Sequence, residues 1–167
     1  MRLIEGIADI GGDHFPDVDA FLGAMDDVSA THDTTVQAFD ARYVASRRHL
    51  ERAVELADRE RGRGAAIARD RGVEIALYAA GRRQIDRALE MGVSPGETPT
   101  VVLVSGGDED AAAAAIDGLL VSSPTLGAYD ETLLREFYDI GETELGATDA
   151  GIEALVVERV ALLVVER

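Results

Sequence analysis

Five consecutive residues, Thr100 to Val104 (TVVLV), constrain this chain most. Four of them are β-branched, and such side chains lose rotamer freedom in a helix while packing well on a pleated sheet. The run is bounded by a turn-rich connection, Gly92 to Pro99, and by Gly106-Gly107, so it reads as a strand. Asp108 follows as a helix cap for a segment running through Ala111 to Leu120. A strand, a tight turn and a capped helix in succession commit the chain to a fold of mixed sheet and helix.

The rest of the chain fits that frame. Arg2 to Ala8 reads as a first strand ended by Gly11-Gly12, and Thr34 to Phe39, rich in Thr and Val, as a second. Phe15 to Val28 carries Pro16 at its start and Val18, Phe21, Leu22 and Met25 at amphipathic helical spacing. Ser46 to Arg61 is a helix with Leu50, Ala53, Val54 and Ala57 on one face. Ala65 to Ala80 is ambiguous, since Val73 to Leu77 also suits a buried strand; length and alanine content favour helix, broken near Gly72. Gly81 fits the left-handed position after a helix end, and Arg82 to Met91 reads as a further helix with Ile85, Ala88 and Leu89 inward. Leu133 to Phe137 is helical and Gly141 to Asp149 is loop. Ile152 to Val160 is helical, and Val160 to Val165 either extends it or forms a last strand. The expected fold is α/β in the α+β sense. It is a single compact domain over residues 1–167, with a small mixed or antiparallel sheet and several packed helices.

Its core must be aliphatic, because only 5% of the residues are aromatic and Trp is absent. With no Cys, disulfides and thiolate metal sites are excluded. The N-terminal residues lack the apolar run of a signal peptide, and Val160 to Val165 is far too short to span a bilayer, so a cytoplasmic protein is expected. The formal charge is −16, and every cation among the side chains is Arg. Acidic surfaces without Lys suit a cytoplasm of molar salt, where screening tames self-repulsion, and the expected source is an extreme halophile. General acidity then says nothing about partners.

Charge distribution says more. Arg42 to Arg87 holds 12 Arg against seven acids, while the remainder holds four against 25. Two readings stay open: an anionic partner, or helices laced with ion pairs through Glu51, Glu55, Asp58 and Glu60. Ser46 is a plausible N-cap followed at once by Arg47, Arg48 and His49, and Gly81 is followed by Arg82 and Arg83. Cations at a helix start oppose the helix dipole at about 0.3–1 kcal/mol each. Amide N–H groups and guanidinium forks together would suit phosphate, with Arg42 and Tyr43 beside them. Tyr43, His49 and Tyr78 offer stacking faces for bases, although Tyr78 equally suits the core. Catalytic chemistry finds little support. His14, His32 and His49 have no metal-ligand spacing, no Ser occupies a nucleophile elbow, and Asp108-Glu109-Asp110 makes the Gly106-Gly107 turn repel phosphate. Neither a cofactor nor a metal is expected.

The run Val44-Ala45-Ser46-Arg47-Arg48-His49-Leu50, with Ala53 and Ala57 behind it, resembles a motif of the Cgi-type small accessory subunit of the KEOPS complex. That family includes the human p53-related-kinase-binding protein. Glu74 to Ile85, ending Gly81-Arg82-Arg83-Gln84-Ile85, is similar to the family's signature of Gly, any residue, then Arg-Gln-Ile. Val156 to Leu162 is similar to its C-terminal segment. The resemblance implies a non-catalytic subunit of a complex that installs threonylcarbamoyl on an adenosine of tRNA. Such a subunit docks on the small atypical kinase/ATPase subunit, meets the other KEOPS subunits only indirectly, and in archaea recruits tRNA by its 3′ CCA end. It implies RNA contact at Arg47, Arg48, His49 and Arg83, with Arg where many relatives have Lys, and the charge reading adds Arg82 beside them. For the kinase contact it points to the apolar segment around Leu155, Val156 and Leu163, for which core packing is the competing role.

Overall fold

A computed structural model describes residues 1–165. In chain order it has β1 (Arg2–Ile10), α1 (Val18–His32), β2 (Thr35–Asp40), α2 (Arg47–Gly62), α3 (Arg71–Ala80) and α4 (Ile85–Ala88). These are followed by β3 (Gly96–Ser105), α5 (Glu109–Asp117), β4 (Val121–Ser122), α6 (Glu131–Phe137), α7 (Glu142–Gly146) and α8 (Gly151–Val165). The fold is mixed α/β with an antiparallel sheet, and it divides into two compact units, each assembled from two stretches of chain.

Met1–Ala41 and Gly92–Leu126 form the first unit. Its sheet has the order β2-β3-β1-β4 with every pair antiparallel. Val101 to Val104 are all fully buried, as the β-branched run requires. Val102 and Val104 join Ile4, Ala8 and Ile10 in a core completed by Phe21 and Met25 of α1 and Ile116 of α5. Leu22, expected inward, is 42% exposed, because Phe21, Met25 and Val28 already make the buried stripe. Gly96 to Pro99 proves to be strand rather than turn, paired with Ile7 to Ile10 of β1. Pro99 is tolerated because β2 ends opposite Thr100, leaving β3 a neighbour on one side only at that point. Asp108 accepts from the Ala111 N–H (3.2 Å) and caps α5 as expected. The Gly106 N–H is taken by Glu109, so that turn satisfies itself. Gly107 cannot be anything else: its φ is +58° and a Cβ there would lie 2.0 Å from the Asp33 carbonyl oxygen.

Arg42–Met91 and Gly127–Arg167 form the second unit. Here α2, α3 and α8 pack on one another. α3 begins only at Arg71, capped by Asp70, so the stretch read as ambiguous is a loop followed by a helix buried from Glu74 to Ala80. Glu74 explains the loop: its buried carboxylate accepts the N–H groups of Ile67 (3.0 Å) and Ala68 (2.6 Å). Gly81 closes α3 with φ +63°, packed against the Arg159 carbonyl. α4 is shorter than expected, starting at Ile85, and Ile85 and Leu89 are 51% and 65% exposed rather than inward. Only Ala88 of that trio is buried. The expected loop after Gly141 contains the short α7, and α8 runs unbroken, so Val160 to Val165 is helix.

Candidate nucleic-acid and partner interface

The start of α2 forms because Ser46 is extended (φ −169°) and its hydroxyl accepts the His49 N–H at 3.2 Å. The first turn carries no acid to suit the dipole. Arg47 and Arg48 are about half exposed and instead pair down the helix. Arg47 Nε reaches Glu51 at 2.8 Å and Arg48 Nη1 reaches Glu55 at 2.8 Å, with Arg52 joining Glu55 at 3.1 Å. Hydrogen bonds from Arg48 first, and then from Arg52, hold the Glu55 carboxyl below its ordinary pKa. Exposed pairs of this kind are worth only about 0–1 kcal/mol and weaken with salt, so an incoming phosphate can displace them.

His49 is elsewhere. It is fully buried, and the helical turn that points Arg47 and Arg48 outward carries its ring into the unit. The Ala45 N–H donates to Nδ1 at 3.2 Å, which makes Nδ1 the acceptor and puts the proton on Nε2. Nε2 then donates to the Ala79 carbonyl at 2.7 Å. Tyr138, also fully buried, donates its hydroxyl to the same carbonyl at 2.8 Å and lies 3.1 Å from Nε2. Burial lowers the His49 pKa from 6.5 to about 4, although its bond to Ala79 works against the drop. Burial likewise pushes Tyr138 well above 10, with Arg82 opposing. The ring offers no face to a base, and its work is to tie the start of α2 to the end of α3. Tyr78, also weighed as a stacking face, is fully buried.

That tie anchors the end of α3, which the second arginine motif follows, to the start of α2. The two motifs differ in availability. Arg82 donates to the Phe137 carbonyl and lies over the Phe137 ring, 5.4 Å from its centre. Phe137 meets Tyr43 edge-on at 5.3 Å, so the Tyr43 ring is half-buried in the same cluster. Arg42 and Arg83 are exposed. Arg82 and Arg83 precede α4 as a turn rather than occupying its first residues, because Gln84 is the cap.

Leu155, Val156 and Leu163 are 5%, 0% and 1% exposed on the inner face of α8. Each such side chain contributes about 1.5–3 kcal/mol to the core, which a partner contact would have to sacrifice. They are core residues here. Sequence reasoning missed Tyr138 as the second half of the polar node, and the burial of Glu60 and Glu74. His49, Ala53, Leu56 and Glu60 fall at i, i+4, i+7 and i+11, and that buried stripe was the available signal.

No group of His, Asp or Glu among the described residues is arranged to hold a metal ion, and no described helix is long and apolar enough to cross a membrane. None of the curated proteins compared with the chain matches it significantly. Residues 20–163 match the family model described as kinase binding protein CGI-121. That span takes in α2, the Gly81-Arg82-Arg83-Gln84-Ile85 corner and almost all of α8, and the chain belongs to the CGI-121 family of kinase binding proteins.

Proposed function

We propose that this chain is the non-catalytic accessory subunit of the KEOPS complex of a halophilic archaeon. In the cytoplasm it docks on the small atypical kinase/ATPase subunit and recruits tRNA through its 3′ CCA end. The family match carries the docking half, since what it matches is described as a kinase binding protein. Ile85 and Leu89 support a place for that contact. They lie one helical turn apart, are more than half exposed, and stand at the end of the signature corner and just beyond it. Covering each is worth up to about 1.5–3 kcal/mol. The RNA half is supported by the exposed Arg42, Arg47, Arg48 and Arg83, which stand out in a chain of charge −16. In molar salt the Debye length shrinks to about 3 Å, so affinity must come from short bidentate contacts, which guanidinium forks supply.

A second reading, a structural regulator of the kinase that never touches RNA, is favoured by the pairing of Arg47 and Arg48 with Glu51 and Glu55. One experiment separates the two. Arg47→Glu with Arg48→Glu is tested in molar potassium chloride for binding labelled tRNA, with and without its CCA end, and for capture by the immobilised kinase subunit. Loss of at least about tenfold in affinity for intact tRNA, with capture retained, is expected. Unchanged tRNA affinity in the folded variant leaves the regulator reading standing. Failure of the wild-type chain to be captured sinks both.

A further inference from the structure

The loop between α2 and α3 is an arginine cluster of its own. Arg59 to Arg71 contains five arginines against Glu60 and Asp70, and counting Asp58 and Glu74 as well still leaves the arginines ahead. Its conformation is built rather than slack. Glu74, fully buried, holds the Ile67 and Ala68 N–H groups from behind. Arg61 Nη1 donates to the carbonyls of Ala68 (3.2 Å) and Arg69 (3.0 Å), which occupies one nitrogen of its fork. Arg71 grips Asp58 with two 2.8 Å bonds at the far end. The result is an open pocket of about 420 Å³ lined by Arg61, Ala66, Ile67, Ala68 and Arg69. Arg63, two residues on from Arg61, has a side chain 63% exposed and shares the buried Glu60 with Arg59.

We infer that this pocket is a second RNA site, which seats one nucleotide of a strand whose phosphates are held by Arg61, Arg63 and Arg69. The inference rests on the RNA-recruiting role proposed above and adds a contact distinct from the one at Arg47 and Arg48. The chemistry fits a nucleotide: aliphatic walls at Ala66 and Ile67 for the base, forked cations for the phosphate, and a volume within the range of about 300–1,000 Å³ common to ligand pockets. A polyanion suits the site better than a free phosphate. Molar chloride competes with any single anion, whereas a strand already held elsewhere presents its next phosphate at high effective concentration.

The lead test is Arg69→Glu, because among the described residues that guanidinium has no partner whose loss would unfold the loop. Arg63→Gln is the second variant. Each is titrated, alongside Arg47→Glu/Arg48→Glu, with tRNA transcripts carrying or lacking the last three nucleotides, in molar potassium chloride. Arg69→Glu is expected to weaken both transcripts at least about tenfold, the worth of a lost charge-assisted bond, and Arg63→Gln to weaken both in the same direction. If neither loop variant changes either affinity while Arg47→Glu/Arg48→Glu does, the second site is overturned and the recruiting role stands. If the wild-type chain binds neither transcript, both fall together.

Discussion

Acid should destabilise this protein through His49, and the size of the effect follows from its surroundings. Its ordinary pKa of 6.5 falls to about 4 in the folded chain because burial strips the imidazolium of water. Between those two values the unfolded chain carries a proton on this ring that the folded chain does not. Stability from this group is therefore complete above the unfolded value and is lost as the pH falls through the window. At about 1.4 kcal/mol per pH unit the whole gap amounts to about 3 kcal/mol, against a total of about 5–15 for an ordinary domain. For a chain of this size that is roughly 6–12 °C in Tm. The measurement is thermal unfolding by circular dichroism in molar potassium chloride, from neutral pH to about 4.5, for wild type and His49→Gln. Carboxylates titrate in both proteins, so only the difference between them matters. His49→Gln starts less stable at neutral pH, and most of that deficit should vanish by the acid end. Two curves that stay parallel throughout would refute the assignment of a neutral, buried His49.

Gly107→Ala should lower stability by about 2 kcal/mol or more, because it combines a left-handed backbone with a Cβ driven into the Asp33 carbonyl; an unchanged Tm would show that turn to be built differently. Tyr138→Phe removes the hydroxyl from the Ala79 carbonyl and should cost about 1–2 kcal/mol in chemical denaturation, His49 still holding that carbonyl.

Much of this architecture could be read from the chain because its signals are local. The TVVLV run, the Ser46 and Asp108 caps and the Gly81 stop each depend on residues within one turn of themselves. The misjudged places depend on distant ones. Gly96 to Pro99 looks like a turn by composition, and it is strand because β1 is long enough to pair with it. A helix running from Arg82 would turn Ile85 and Leu89 inward, but α4 has only four residues and sets no dependable period. The site was half legible for a similar reason. Sequence adjacency grouped His49 with Arg47 and Arg48, whereas helix geometry points consecutive residues in different directions. Leu155, Val156 and Leu163 were correctly seen as apolar, and nothing in their spacing distinguishes a face for a partner from a face for α2 and α3.

The way the two units draw on the chain has a consequence for how it is made. β3 lies between β2 and β1 in the sheet, yet β1, which it must pair with, ends more than eighty residues earlier. As the chain leaves the ribosome, β1 and β2 emerge without β3, the strand that sits between them, and the whole of Arg42–Met91 appears before it does. The second unit has the mirror problem, since α2 and α3 wait for α8 at the far end. Closing a loop costs entropy only logarithmically with its length, so the delay is a matter of time more than of stability. Fragments cut at Met91 hold neither unit whole, so neither can finish folding until chain beyond that point has been made.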